Sequence, residues 1–126
     1  MSSATDIGRA GEFFAAYVLE RHGIECHHVD RAGSDLWCQV HGSITTVQVK
    51  TASCPKSPGA RHRRVYYRFF CARPTAARWF VLVALDRELV LMQHSSVIQK
   101  KHLNLDPEEF TLEAQERTIE AFLKSC

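Results

Sequence analysis

Residues 34–51 read SDLWCQVHGSITTVQVKT, two alternating runs joined across His41, Gly42 and Ser43. Side chains alternate along a strand, so Gln48 and Lys50 share one face while Val47 and Val49 share the other. Glycine supplies the positive φ that a two-residue hairpin turn needs. A turn at His41-Gly42 sets Leu36 opposite Val47, Cys38 opposite Thr45 and Asp35 opposite Gln48. Cross-strand partners lie on the same face. A turn at Gly42-Ser43 moves the pairing by a full side-chain period and leaves each residue on its face. In either register one face is apolar and the other carries a carboxylate, an amide and an ammonium. Such a face is either a wetted hairpin surface or a ligand set for a divalent cation and a phosphate.

Outward from the hairpin, the chain of 126 residues is read as a single domain over 1–126, large enough to bury a core without staples. Its apolar content of 45% and charged content of 24% place it with ordinary globular domains rather than disordered chains. No apolar run approaches the roughly 20 residues of a membrane span. No basic segment followed by an apolar one opens the chain, so no secretory signal is expected. Five cysteines without a C-x-x-C pair fit free thiols in a reducing, cytoplasmic setting.

Net charge is only +2, yet the charge is segregated. Eight basic residues and no acidic ones lie between Lys50 and Leu85, whereas six acids face Arg117 alone between Asp106 and Glu120. One basic zone in a near-neutral chain suits a single polyanion-binding side.

Residues 6–22 are expected to form a helix capped by Ser3, Thr5 or Asp6 and stopped by Gly23. Phe14, Ala15, Val18 and Leu19 form its apolar stripe, and Gly8, Gly11 and Ala15 at the stripe's edge would let a sheet approach. Glu12 stands beside that stripe, where a carboxylate is costly unless it is paired or binds a cation; a surface position at the margin is the alternative. Residues 24–29 read as a strand before the hairpin, and residues 52–64 as a basic loop. Strands are expected over 65–71, 79–85 and 89–93. Ser95 or Ser96 is expected to cap a short helix ending near Lys101. Asp106-Pro107-Glu108-Glu109 carries a strong helix start, from which a last helix runs to about Lys124 with Phe110, Leu112, Ala114, Ile119, Phe122 and Leu123 as its apolar members. The order implies an α/β (α+β) layer domain with a mixed sheet. Cys26-His27-His28 with Cys38, Cys54 and Cys71 lacks the paired loop spacing of a zinc site, so the cysteines are expected as small buried apolar residues.

Three motifs in order carry a resemblance. Gly8-x-x-Gly11-Glu12 on the opening helix, Gly33-Ser34-Asp35-Leu36, and Gln48-Val49-Lys50-Thr51 together resemble the PD-(D/E)XK nuclease superfamily. The similar branch is the QVK type, which includes intron-encoded homing endonucleases and archaeal Holliday-junction resolvases. The resemblance implies a restriction-endonuclease-like αβββαβ core, a central mixed sheet flanked by helices, and hydrolysis of DNA phosphodiesters with Mg²⁺ (Mn²⁺ as a substitute). It implies Asp35 as the main metal ligand, with Gln48, the Val49 carbonyl and Glu12 completing the set, and Lys50 as the residue that orients water and offsets phosphate charge. Two departures stand out: Ser34 replaces the usual proline, and Gln48 stands where most members have Glu or Asp. An amide oxygen can coordinate Mg²⁺ but brings no charge.

Lys56, Arg61, Arg63, Arg64 and Arg68 are expected to bind DNA phosphates without reading sequence. Of the neighbouring aromatics Tyr66, Tyr67, Phe69 and Phe70, alternation sends half to the core. Cutting both strands needs two sites, so a homodimer or higher homo-oligomer is expected. The rival reading is a DNA-binding protein that keeps the fold without cutting; a third is an interaction subunit acting through its acidic C-terminal helix.

Overall fold

The computed structural model describes residues 3–31, 34–59, 63–71, 77–98 and 100–126. Helix α1 spans Ala4–Arg21, strand β1 Glu25–Arg31, β2 Ser34–Val40 and β3 Ser43–Ala52. The hairpin adopts the His41-Gly42 turn, with both residues at positive φ (51° and 82°) as a type I′ turn requires. Leu36 pairs with Val47 and Cys38 with Thr45, the expected register. Ser3 caps α1 in a capping box with Asp6, and Gly23 takes the left-handed conformation just past its end.

Strands β4 (Tyr67–Phe70), β5 (Trp79–Ala84), β6 (Leu89–His94) and β7 (His102–Leu105) follow, and helix α2 (Leu112–Ser125) closes the chain. The main sheet has the order β1-β2-β3-β5-β6, mixed because β3 and β5 run parallel and its other neighbours antiparallel. This is the α/β architecture with a central mixed sheet flanked by helices. Among the described residues, the crossover between the parallel strands carries β4 where the αβββαβ pattern has a helix. β4 leaves the sheet to pair with β7 as a separate two-stranded ribbon.

The sheet buries both faces, in different ways. Leu36, Cys38, Val47, Val49, Val81 and Val83 pack under α1 and the C-terminal half of α2. Phe80, Leu82, Ala84 and Leu91 pack under the ribbon through Tyr67, Phe69 and Phe110. The Tyr67 hydroxyl donates to Asp86 Oδ1 at 2.7 Å; burial and that carboxylate push its pKa up to about 12. Towards β1 the ribbon face opens: Trp37 and Gln39 are half-buried, and Glu25, His27 and Ile44 are exposed. At the opposite edge α2 shields β6, since the Val90 and Met92 amides donate to Gln115 Oε1 and Thr118 Oγ1, which blunts an otherwise open strand edge.

Two expected elements differ. Instead of a helix towards Lys101, His94 caps a single 3-10 turn over Ser95–Val97, and the chain extends into β7. Four residues are too short for a pattern to reveal, and β7 exists because aromatic β4 needs a partner. The last helix does not start at Asp106. The Asp106 capping box closes only one 3-10 turn, Pro107–Glu109, because Phe110 turns inward against the Tyr67 and Phe69 rings at 5.1 and 6.0 Å. Thr111 then caps α2, leaving Leu112 62% exposed rather than in the core. Among the described residues no helix is long and apolar enough to cross a membrane.

Candidate active site

The hairpin turn dictates the backbone of the site. Val40 and Ser43 close a two-residue turn, which makes theirs a hydrogen-bonded pair. Alternate β3 residues, Thr45, Val47 and Val49, therefore direct N–H and C=O towards β2. The last ladder pair beyond the turn is Leu36–Val47. At the next such position the Val49 N–H finds the Asp35 side chain instead and donates to Oδ2 at 2.8 Å. That bond fixes the carboxylate and leaves Oδ1 to the cleft that Asp35 lines. The Val49 carbonyl leaves the same strand edge, beside Asp35.

Helix α1 supplies the second carboxylate. Gly11 is buried against β3: a Cβ there would overlap the Thr51 hydroxyl and lie 2.7 Å from Thr51 Cβ. Only glycine allows the helix this close, and the next residue, Glu12, thereby arrives half-buried at the mouth of the sheet. Gly8 does not share this packing role as expected, since nothing lies within 4 Å of where its Cβ would be; it lines the cleft instead. The Thr51 hydroxyl is buried with no hydrogen-bond partner among the described residues.

Glu12, Asp35, Gln48, Val49 and Lys50 line one cleft of about 550 Å³. The structure thus brings together all the residues of the candidate catalytic and metal set. Gln48 and Lys50 are half-buried on the ribbon side of β3, and the Lys50 Nζ lies 6.0 Å from the centroid of Phe70, a ring 46% exposed. The donor set fits a hard divalent cation: two carboxylates, an amide oxygen and a main-chain carbonyl are all oxygen ligands, the kind Mg²⁺ takes.

The basic residues divide. Lys56 and Arg68 line the same cleft. Lys56 is tied to the ribbon by paired main-chain bonds with Tyr66 at 2.7 and 3.2 Å. Arg68 donates from Nε to Asn104 Oδ1 at 3.1 Å and stacks over Tyr66 at 5.5 Å. Arg63 and Arg64 instead border a separate hollow with Tyr66, Asn104 and Asp106, where Arg64 Nη1 lies 4.0 Å from Asp106 Oδ2. Arg61 and Gly33 lie outside the described residues.

Cys26 and Cys38 face each other across β1 and β2 with sulfurs 3.8 Å apart. That contact with Cys26, together with burial, raises the Cys38 pKa. Cys38 and Cys71 are buried as expected, but Cys54 and Cys126 are exposed. His27 points away from Cys26 to pair with Glu25 at 3.3 Å. Among the described residues no three His, Cys, Asp or Glu side chains gather as a metal-holding group.

Three residues of the site are not evident from the sequence. Arg9, Phe13 and His28 line a second concavity of about 330 Å³ that shares Glu12 and Asp35 with the first. The spacing of Arg9, Glu12 and Phe13 along a helix face is legible; the approach of His28 from β1 is not.

No protein-family profile matches the sequence, and no curated protein matches it. A solved structure of similar fold is that of a bacterial homing endonuclease, I-Ssp6803I. It superposes with a TM-score of 0.77 over 99% of this chain and 94% of that one, at 18% identity.

Proposed function

We propose that this chain is a metal-dependent endodeoxyribonuclease of the PD-(D/E)XK type that uses Mg²⁺, with Mn²⁺ as a substitute, and acts as a homodimer or higher homo-oligomer. The observation that carries the reading is the anchoring of Asp35 by the Val49 amide in a cleft shared with Glu12, Gln48 and Lys50. The fold likeness to a homing endonuclease supports it.

Asp35, Gln48, the Val49 carbonyl and Glu12 would hold the ion, which when bound polarises a phosphate and lowers the pKa of a water. The chain's own residues do the remaining work. The Val49 amide keeps Asp35 from rotating away. Gln48 contributes an oxygen without charge, leaving the site less anionic and easier for a phosphodiester to enter. Lys50, on the same strand face, brings an ammonium that orients the attacking water and offsets charge on the phosphate. Lys56 and Arg68 hold flanking phosphates, contacts that position the DNA without reading its sequence.

The test is incubation with linear and branched duplex DNA in Mg²⁺, Mn²⁺ or EDTA. Metal-dependent cutting that is lost in Asp35→Ala is expected. Tight, salt-sensitive binding without cutting by the wild type would assign the non-cleaving reading instead, and neither cutting nor binding would remove DNA from the account.

A further inference from the structure

Resting on that reading, we infer that the concavity formed by Arg9, Phe13 and His28 is a nucleotide-binding lobe of the same site. It takes an unpaired base next to the phosphate under attack, so the substrate is DNA with an unstacked nucleotide at the cut.

The lobe lies on the far side of the two carboxylates from Lys50, Lys56 and Arg68. Glu12 and Asp35 line both concavities, so a strand whose phosphate sits at Asp35 sends one neighbouring nucleotide into each. The two receptions differ. The lysine side offers cations on a polar wall. The other offers rings: Phe13 is 55% exposed, its ring lies 4.7 Å from that of exposed His28, and Arg9 lies 5.7 Å over Phe13. Exposing a phenylalanine to water costs stability, and among the described residues Phe13 belongs to neither buried apolar cluster. The β1–β2 ladder breaks just after the His28–Leu36 pair and resumes at Arg31–Ser34, an irregularity of the kind that re-aims side chains beside functional sites.

Aromatic faces with an arginine recognise a base through stacking, and stacking needs a base outside its own helix. A paired base offers a side chain only its groove edges, which hydrogen-bond donors and acceptors read. At about 330 Å³ the lobe has the size of one nucleotide rather than of a duplex, and its guanidinium and imidazole lie against the Phe13 ring. The guanidinium of Arg9 suits the phosphate that accompanies the base.

The experiment measures affinity, by fluorescence anisotropy in Ca²⁺ without Mg²⁺, for a fully paired duplex and for the same duplex carrying a single-stranded flap. The wild type is expected to prefer the flapped DNA. Phe13→Leu, which keeps an apolar side chain but removes the ring, is expected to cut that preference by about tenfold, the order of one base stack. Phe13→Tyr, which keeps the ring, is expected to retain it. Equal preference in wild type and Phe13→Leu overturns the lobe while metal-dependent cutting still stands for the nuclease reading. A change of oligomeric state in Phe13→Leu with the preference intact assigns the rings to a protein interface and overturns it too. Failure of the wild type to bind either DNA overturns both readings.

Discussion

Asp35 and Gln48 line the same cleft but differ in character: one brings charge fixed by a main-chain bond, the other an oxygen without charge. Gln48→Glu restores a third carboxylate, so the Mg²⁺ concentration for half-maximal cleavage is expected to fall severalfold; titration of cleavage rate against Mg²⁺ checks this. Lys50→Ala removes the ammonium at the phosphate and is expected to slow single-turnover cleavage by roughly 100- to 1,000-fold, the range for one electrostatic stabiliser, with DNA affinity little changed. Both residues are legible in the sequence because strand alternation is strict: once the Gly42 turn is placed, Asp35, Gln48 and Lys50 have to share a face. Arg9, Phe13 and His28 are not, because they meet only where α1 packs against β1, and no local pattern encodes that meeting.

Helix α1 is held to the sheet by an absence of side chain. Gly11→Ala gains about 1 kcal/mol of helix propensity but forces a Cβ into Thr51, and overpacking of this kind costs about 1–3 kcal/mol. Net destabilisation of up to about 2 kcal/mol is expected, read as a lower urea midpoint at unchanged slope. Cleavage is expected to fall further than stability, because Glu12 moves with the helix. At its other end α1 meets α2 through His22. The Nδ1 of His22 lies 2.8 Å from the Val18 carbonyl and Nε2 pairs with Glu116. Only the charged ring donates from both nitrogens. Partial burial opposes that charge, but the Val18 carbonyl and Glu116 outweigh it and raise the pKa. The stabilisation is therefore complete below the ordinary histidine value of about 6.5 and is lost as pH rises through the raised folded value. The melting temperature of the wild type is expected to fall towards that of His22→Gln over this window; a constant difference between the two across pH would contradict the pairing. Elements with long periodic patterns, α1 and the apolar β5, stand plainly in the sequence. β7 and the true start of α2 do not, since a four-residue strand is shaped by its partner and the Asp106 cap is overruled by burial of Phe110.

Over the whole molecule, the basic residues described between Lys56 and Arg68 fall into two groups. Lys56 and Arg68 line the cleft, while Arg63 and Arg64 line a separate hollow beside Tyr66 and Asn104. Arg63→Ala with Arg64→Ala is expected to weaken binding to all DNA alike and to flatten the slope of log affinity against log salt by about 0.9 for each phosphate no longer neutralised, with the single-turnover cleavage rate of bound DNA unchanged. Lys56→Ala with Arg68→Ala is expected to lower that rate as well. The basic segment is visible in composition, but its division is not, because it depends on how the ribbon folds back across the sheet. The acid of α1 and the hairpin's aspartate and glutamine are expected to share one cation, and anomalous diffraction from crystals soaked in Mn²⁺ checks this. A single strong peak in the cleft, bonded to Asp35 Oδ1 and the Val49 carbonyl and absent in Asp35→Ala crystals, is the predicted result. Mn²⁺ bound only at surface carboxylates such as Glu108 or Glu120, with the cleft holding none at saturating concentration, would contradict it.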